Sequence, residues 1–169
     1  MQTISDNILS AVVSENGAQL IHLKNQQDDD FIKLQADQGG CLFLRPQGKK
    51  TNVLEGLSWT VVDKGDARVS LMAIDNEKSR EKFPYHFEYM VTLRLLGSQL
   101  QVEVLLTNNS QRSFSCQIAC QLNILSGKMK LEAGDFAQVQ EDPEQLLLTT
   151  DTLDFASGQK RQVAFSLTA

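Results

Sequence analysis

The residues best suited to chemistry fall on one predicted strand. Gln117, Ala119, Gln121 and Asn123 recur at every second position, so an extended chain points all four to the same face. Side-chain amides both donate and accept hydrogen bonds, which suits the hydroxyl groups of a sugar. The same row equally fits the water-facing side of an antiparallel sheet. Trp59, the only tryptophan, and Tyr85 offer flat rings able to stack on a pyranose face. Titratable groups are fewer. Of the two histidines, His22 lies inside a predicted strand and His86 alternates with Tyr85 and Phe87. Both positions read as structural or surface. Glu141 and Glu144 stand on either side of Asp142-Pro143 and read as a charged turn.

Metal chemistry finds little footing. Cys41, Cys116 and Cys120, with two histidines, lack the paired spacing of a zinc site. Asp28-Asp29-Asp30 lacks the spaced oxygen ligands and the glycine of a calcium loop. No metal or cofactor is therefore expected. Cys116 and Cys120 point inward from one strand, roughly 13 Å apart at ~3.3 Å per residue, too far for a disulfide. Buried thiols in a reducing cytoplasm fit better. The net charge of −5 speaks against nucleic acid, whose phosphates want clustered Lys and Arg, and against an anionic membrane surface. No apolar run approaches the roughly 20 residues of a membrane span. The opening MQTISDNILS has acid where a signal peptide has basic charge. A soluble cytoplasmic protein is the expectation, with 41% hydrophobic and 22% charged residues.

The elements that would position these side chains are strands. From Phe83 to Ile124 polarity alternates in three runs. Tyr89, Val91, Leu93 and Leu95 oppose Glu88, Met90, Thr92 and Arg94. Leu100, Val102, Val104 and Leu106 oppose Gln101, Glu103 and Thr107. Phe114, Cys116, Ile118, Cys120, Leu122 and Ile124 oppose the amide row. Period two sustained this long predicts strands with one buried face. Gly97-Ser98 and Asn108-Asn109-Ser110 are turn chemistry, so a meander of two successive hairpins is predicted. Upstream, residues 4–14 predict one strand, Asn16-Gly17 a tight turn and 18–24 its return. Short strands are predicted over 31–35, 41–45, 58–63 and 68–75. A charged loop with room for one helical turn follows at 75–82. Downstream, strands are predicted over 128–131, 136–140, 145–150 and 161–167, separated by Gly or Pro. No capped amphipathic helix of ten residues and no repeat occurs in the sequence. About a dozen short strands in 169 residues predict a single all-β domain, an antiparallel β-sandwich.

Several local signals in order resemble the aldose 1-epimerase (galactose mutarotase) family. NGAQLIHLKNQQDDDFIKL resembles its N-terminal hairpin, and LEGL with Trp59 just after resembles its His-Gly segment leading into a tryptophan-bearing strand. FPYHFEYMVTLRL and QVEVLLTNNS resemble two further strands. FSCQIACQLNI resembles the strand that carries a catalytic histidine, and DFASGQKRQVAFSL the turn before the last strand. The resemblance implies a trimmed β-supersandwich, with a glutamate base and a histidine acid opening and reclosing a pyranose ring. At the places of the two family histidines this chain has Glu55 and Ala119, and neither replaces an imidazole. Glu141 or Glu144 stands near the place of the base, and Arg45 resembles an arginine that precedes the cleft. The amide face is the one that in the family looks into the sugar cleft. The resemblance thus implies a non-catalytic sugar-binding or regulatory module contacting ligand through Gln117, Gln121, Asn123, Arg45, Trp59 and Glu55. Two alternatives stand beside it: residual epimerase activity through Glu141 or Glu144 with His86 as acid, and an interaction protein or homodimer pairing through an open sheet edge.

Overall fold

The computed structural model describes residues 1–32, 42–124, 127–143 and 145–169. Glu144, Cys41 and the 33–35 part of the strand predicted over 31–35 lie outside them. Fourteen strands among the described residues make three antiparallel sheets. The first is N-terminal: β1 (Gln2–Ser5), β2 (Ser10–Ser14) and β3 (Gln19–Lys24) in that order. The single strand predicted over 4–14 is thus two. Asp6 divides it, because its Oδ1 accepts the amides of Ile8 and Leu9, each at 2.7 Å, and a side chain that captures its own downstream backbone reverses the chain.

The second sheet is reached through β4 (Leu42–Pro46), which belongs to the third sheet, and begins with β5 (Trp59–Lys64) and β6 (Arg68–Ile74). One helical turn, α1 (Glu77–Lys82), follows where the charged loop was predicted. Asn76 caps it by accepting the Ser79 amide at 2.8 Å. Then come β7 (Phe87–Leu96), β8 (Gln99–Asn108) and β9 (Phe114–Leu122). The last five strands are β10 (Lys130–Glu132), β11 (Gln138–Asp142), β12 (Gln145–Thr149), β13 (Leu153–Phe155) and β14 (Lys160–Thr168). The second sheet has the order β10-β14-β8-β7-β6-β5, and the third is β11-β12-β9-β13 with β4 on the other side of β9.

The predicted double hairpin is therefore half right. β7 and β8 pair along ten residues, but the partner on the other side of β8 is β14, and β9 lies in the third sheet. Asn108 causes the crossing. Fully buried, its Nδ2 donates to the carbonyls of Arg112 at 2.8 Å, Ala156 at 3.2 Å and Phe155 at 3.3 Å. Its Oδ1 accepts the Ser110 amide at 2.9 Å. A hairpin turn would leave this amide in water; here it ties the end of β8 to the strands of the facing sheet.

The two larger sheets form the sandwich. Tyr89, Val91, Leu93 and Leu95 of β7 join Leu100, Val102, Val104 and Leu106 of β8 on the buried side, and Phe114, Cys116, Ile118, Cys120 and Leu122 of β9 complete it. Aromatic rings pack there too: Phe114 contacts Phe83, just before β7, at 5.0 Å and its cross-strand neighbour Phe155 at 5.1 Å between centroids. Cys116 and Cys120 are both buried, and burial pushes the Cys116 thiol up to about 12. At the sheet margin, β11 is exposed along its whole length and carries Glu141 and Asp142, charges that discourage edge-to-edge pairing. Among the described residues no helix is long and apolar enough to cross a membrane.

Candidate ligand cleft

A cleft of about 930 Å³ opens beside the C-terminal end of β9. Four segments meet there: the turn between β2 and β3, the first residues of β4, the 52–58 segment with Trp59, and the end of β9. Each is held in place by identifiable chemistry. In the hairpin turn Gly17 (φ 75°) and Ala18 (φ 51°) are both left-handed, a conformation that suits glycine and strains alanine. The 52–58 segment is anchored by burial of Val53, Leu54 and Leu57 and by Asn52. The Asn52 Oδ1 accepts the amides of Leu44 and Leu54, both at 3.1 Å, and its Nδ2 donates to the Leu42 carbonyl at 3.2 Å. Gly56 turns the tip at φ 80°, so Glu55 is left exposed above the cleft. Trp59 is pinned edge-on against Tyr89 at 5.8 Å, 88° between planes, and only its margin reaches the opening.

The strand register explains the wall beside the opening. Phe43 pairs with Ala119, and Arg45 with Gln117; on the other side of β9, Leu147 pairs with Gln121 and Thr149 with Ala119. Directly opposed residues share a face, so Phe43, Arg45, Gln117, Ala119 and Gln121 lie on one side of the sheet. Ala119 is fully buried between Phe43 and Thr149 in this row.

Of the predicted site residues, the fold brings Glu55, Trp59, Gln121 and Asn123 together at the cleft. Gln117 and Arg45 share the face but not the lining. Gln117 donates to the Thr150 carbonyl at 3.1 Å, and the Arg45 guanidinium lies over the Phe43 ring at 5.0 Å, its Nε buried without a partner among the described residues. Glu141 is placed elsewhere, in register with Leu146 and, beyond it, Leu122, on the face opposite the amides. His86 is also remote from the lining: its Nδ1 lies 2.9 Å from Asp75. That carboxylate also accepts from Arg80 at 2.6 Å and from the Phe87 amide at 2.9 Å. Burial raises the Asp75 pKa, but these three partners outweigh it and leave the group below its ordinary value. His22 pairs with Asp30 at 2.5 Å, again outside the lining. Tyr85 packs on Phe83 and under Arg112, not at the cleft.

Sequence reasoning missed Phe43, Gln19 and Asn52. Phe43 had a usable signal, since it alternates with the buried Leu42 and Leu44. Asn52 sits in an aperiodic segment and carried none. Glu15, also in the lining, accepts from the Met1 ammonium at 2.7 Å and Gln2 Nε2 at 2.6 Å, and these donors hold its carboxyl down at about 2. Among the described residues no cluster of His, Cys, Asp and Glu could hold a metal.

Comparison with solved structures matches this arrangement over nearly its whole length. A galactose mutarotase-like protein from Lactobacillus casei superposes with a TM-score of 0.78 at 14% identity, covering 99% of both chains. The chain has a galactose mutarotase-like fold. A galactose mutarotase related enzyme from Lactobacillus acidophilus gives a TM-score of 0.72 at 13% identity, with 99% of this chain and 96% of that one covered. The aldose epimerase homologue from C. elegans gives 0.60 at 12%, with 98% and 97% covered. No family model matches the sequence, and no curated protein does. Identities this low establish the shape of a mutarotase-like sandwich and leave its chemistry to the residues in the cleft.

Proposed function

We propose that this protein is a sugar-binding module of the cytoplasm that keeps a mutarotase-like sandwich without mutarotase catalysis. One observation carries the reading: Glu55, Trp59, Gln121 and Asn123, from separate parts of the chain, line a single cleft. An indole margin, a phenyl ring from Phe43 and two amides supply a hydrophobic surface with polar groups around it, the usual make-up of a small-ligand site. The amides can donate to and accept from sugar hydroxyls.

Ring opening requires an acid and a base flanking the anomeric centre. No histidine is among the described lining residues, and the ionisable side chains there are both carboxylates, Glu15 and Glu55. Ala119, where the resemblance implies an imidazole, has no proton to give. His86 and Glu141 lie on other parts of the fold, which favours binding over residual epimerisation.

Isothermal titration with glucose and galactose tests this directly. Saturable binding in the millimolar range is expected, with Gln121→Ala weakening it about three- to tenfold through the loss of one or two hydrogen bonds. Absence of binding well above millimolar concentration would sink the sugar-binding reading. In polarimetry, freshly dissolved α-glucose should mutarotate at its uncatalysed rate; a protein-dependent acceleration would refute the loss of catalysis.

A further inference from the structure

Resting on the sugar-binding reading above, we infer that the cleft selects uncharged and amine-bearing sugars and rejects phosphorylated ones. No Lys, Arg or His lines it among the described residues; its ionisable side chains are Glu15 and Glu55. Glu15 is occupied by the Met1 ammonium and Gln2. Glu55 is exposed at the tip of its turn, where it meets whatever enters. A phosphate group is recognised by paired Arg or Lys donors or by a helix N-terminus. Among the described residues the cleft lining supplies neither, since α1 is not part of it and Arg45 is drawn onto the Phe43 ring.

The amide side chains of Asn16, Gln19, Gln121 and Asn123 in the lining donate and accept alike, so the charge preference falls to Glu55, which accepts only. An ammonium group brings donors and opposite charge to that carboxylate, whereas a phosphate dianion brings further acceptors and like charge. One unit charge at contact distance from an exposed carboxylate is worth about a fivefold change in affinity in water, and salt screens it.

The test is a titration of D-glucose, D-glucosamine and D-glucose 6-phosphate into the wild-type chain and Glu55→Gln, at salt near 0.01 M and near 1 M, where the screening length falls from about 30 to about 3 Å. The wild type at low salt should bind glucosamine about fivefold tighter than glucose and the phosphate dianion, with two unit charges, about twenty-five-fold weaker. Glu55→Gln and high salt should each collapse that spread. A phosphate that binds tightest, or an order untouched by Glu55→Gln, overturns the charge selection while leaving sugar binding standing. If none of the three sugars binds, the sugar-binding reading itself fails and this inference falls with it. Matching thermal melts of the two proteins exclude a folding defect as the cause.

Discussion

Replacing Asn108 with alanine should loosen the joint between the two large sheets. Four hydrogen bonds leave with the amide: three donated to the carbonyls of Arg112, Phe155 and Ala156, and one accepted from Ser110. The Arg112 and Ala156 carbonyls are only partly buried and can turn to water. The hydrogen bonds to the Ser110 amide and the Phe155 carbonyl are buried, so these two groups are stranded. Leaving a buried polar group unpaired costs about 1–3 kcal/mol, so two such groups, partly relaxed, give about 3 kcal/mol. For a chain of this length that corresponds to a fall in Tm of about 6–12 °C. Urea unfolding followed by fluorescence measures it, with an unchanged slope marking a loss of stability rather than of compactness. Asn108→Asp is the informative companion. It keeps the acceptor for Ser110 but sets a carboxylate oxygen against three carbonyls, and should lose at least as much at neutral pH. A loss under about 1 kcal/mol for Asn108→Ala, or an aspartate variant as stable as the wild type, would refute the role given to this residue.

Other expectations follow from local chemistry. Because burial pushes Cys116 up to about 12, it should resist thiol reagents at neutral pH until the chain is unfolded; mass-mapped labelling of the native protein at this position would contradict this. Asp75 is held below its ordinary pKa by Phe87, Arg80 and His86. Its stabilisation is therefore full above the unfolded value near ~3.9 and is lost as pH falls through the lower folded one. Asp75→Asn should cost about 2 kcal/mol at pH 7 and flatten the acid limb of a stability-versus-pH curve; an unchanged acid limb would remove Asp75 as its source. Gly134 has φ 57°, and a Cβ there would stand 2.2 Å from the Ala164 carbonyl oxygen. Gly134→Ala should lower stability by roughly 2 kcal/mol or more, read by calorimetry, and a neutral result would mean that β14 yields easily.

The alternation that sequence reading relies on worked where a strand has one wet and one dry side. Tyr89 to Leu95 and Leu100 to Leu106 were assigned to the core face from period alone, and they are buried. It failed where a polar residue serves the interior. Asn108 looks like turn chemistry because Asn favours turns in general, and nothing local says that three carbonyls wait for it from residues up to 48 positions away. Asp6 did the reverse, breaking a pattern that read as continuous. β13, three residues long, is too short to leave a period at all.

The cleft divides on the same line. Gln121 and Asn123 were legible as an outward face and Trp59 as a stacking ring, and Glu55 only through a family resemblance. That Gln117 bonds to Thr150 and not to a ligand depends on the returning chain beyond β12, which no spacing within β9 encodes. Glu141 is a matter of parity: the β11–β12 register sets it beside Leu146, and a shift of one residue would have turned it to the amide side.

Trp59 is the only tryptophan in the chain and lies at the cleft, so its fluorescence reports on the site alone. Titration with glucose or galactose should give a saturable change at millimolar sugar, weakened in Gln121→Ala with its melting temperature preserved. A tryptophan signal that stays flat far above millimolar sugar, or one that responds identically in Gln121→Ala, would contradict the assignment of this cleft to a sugar.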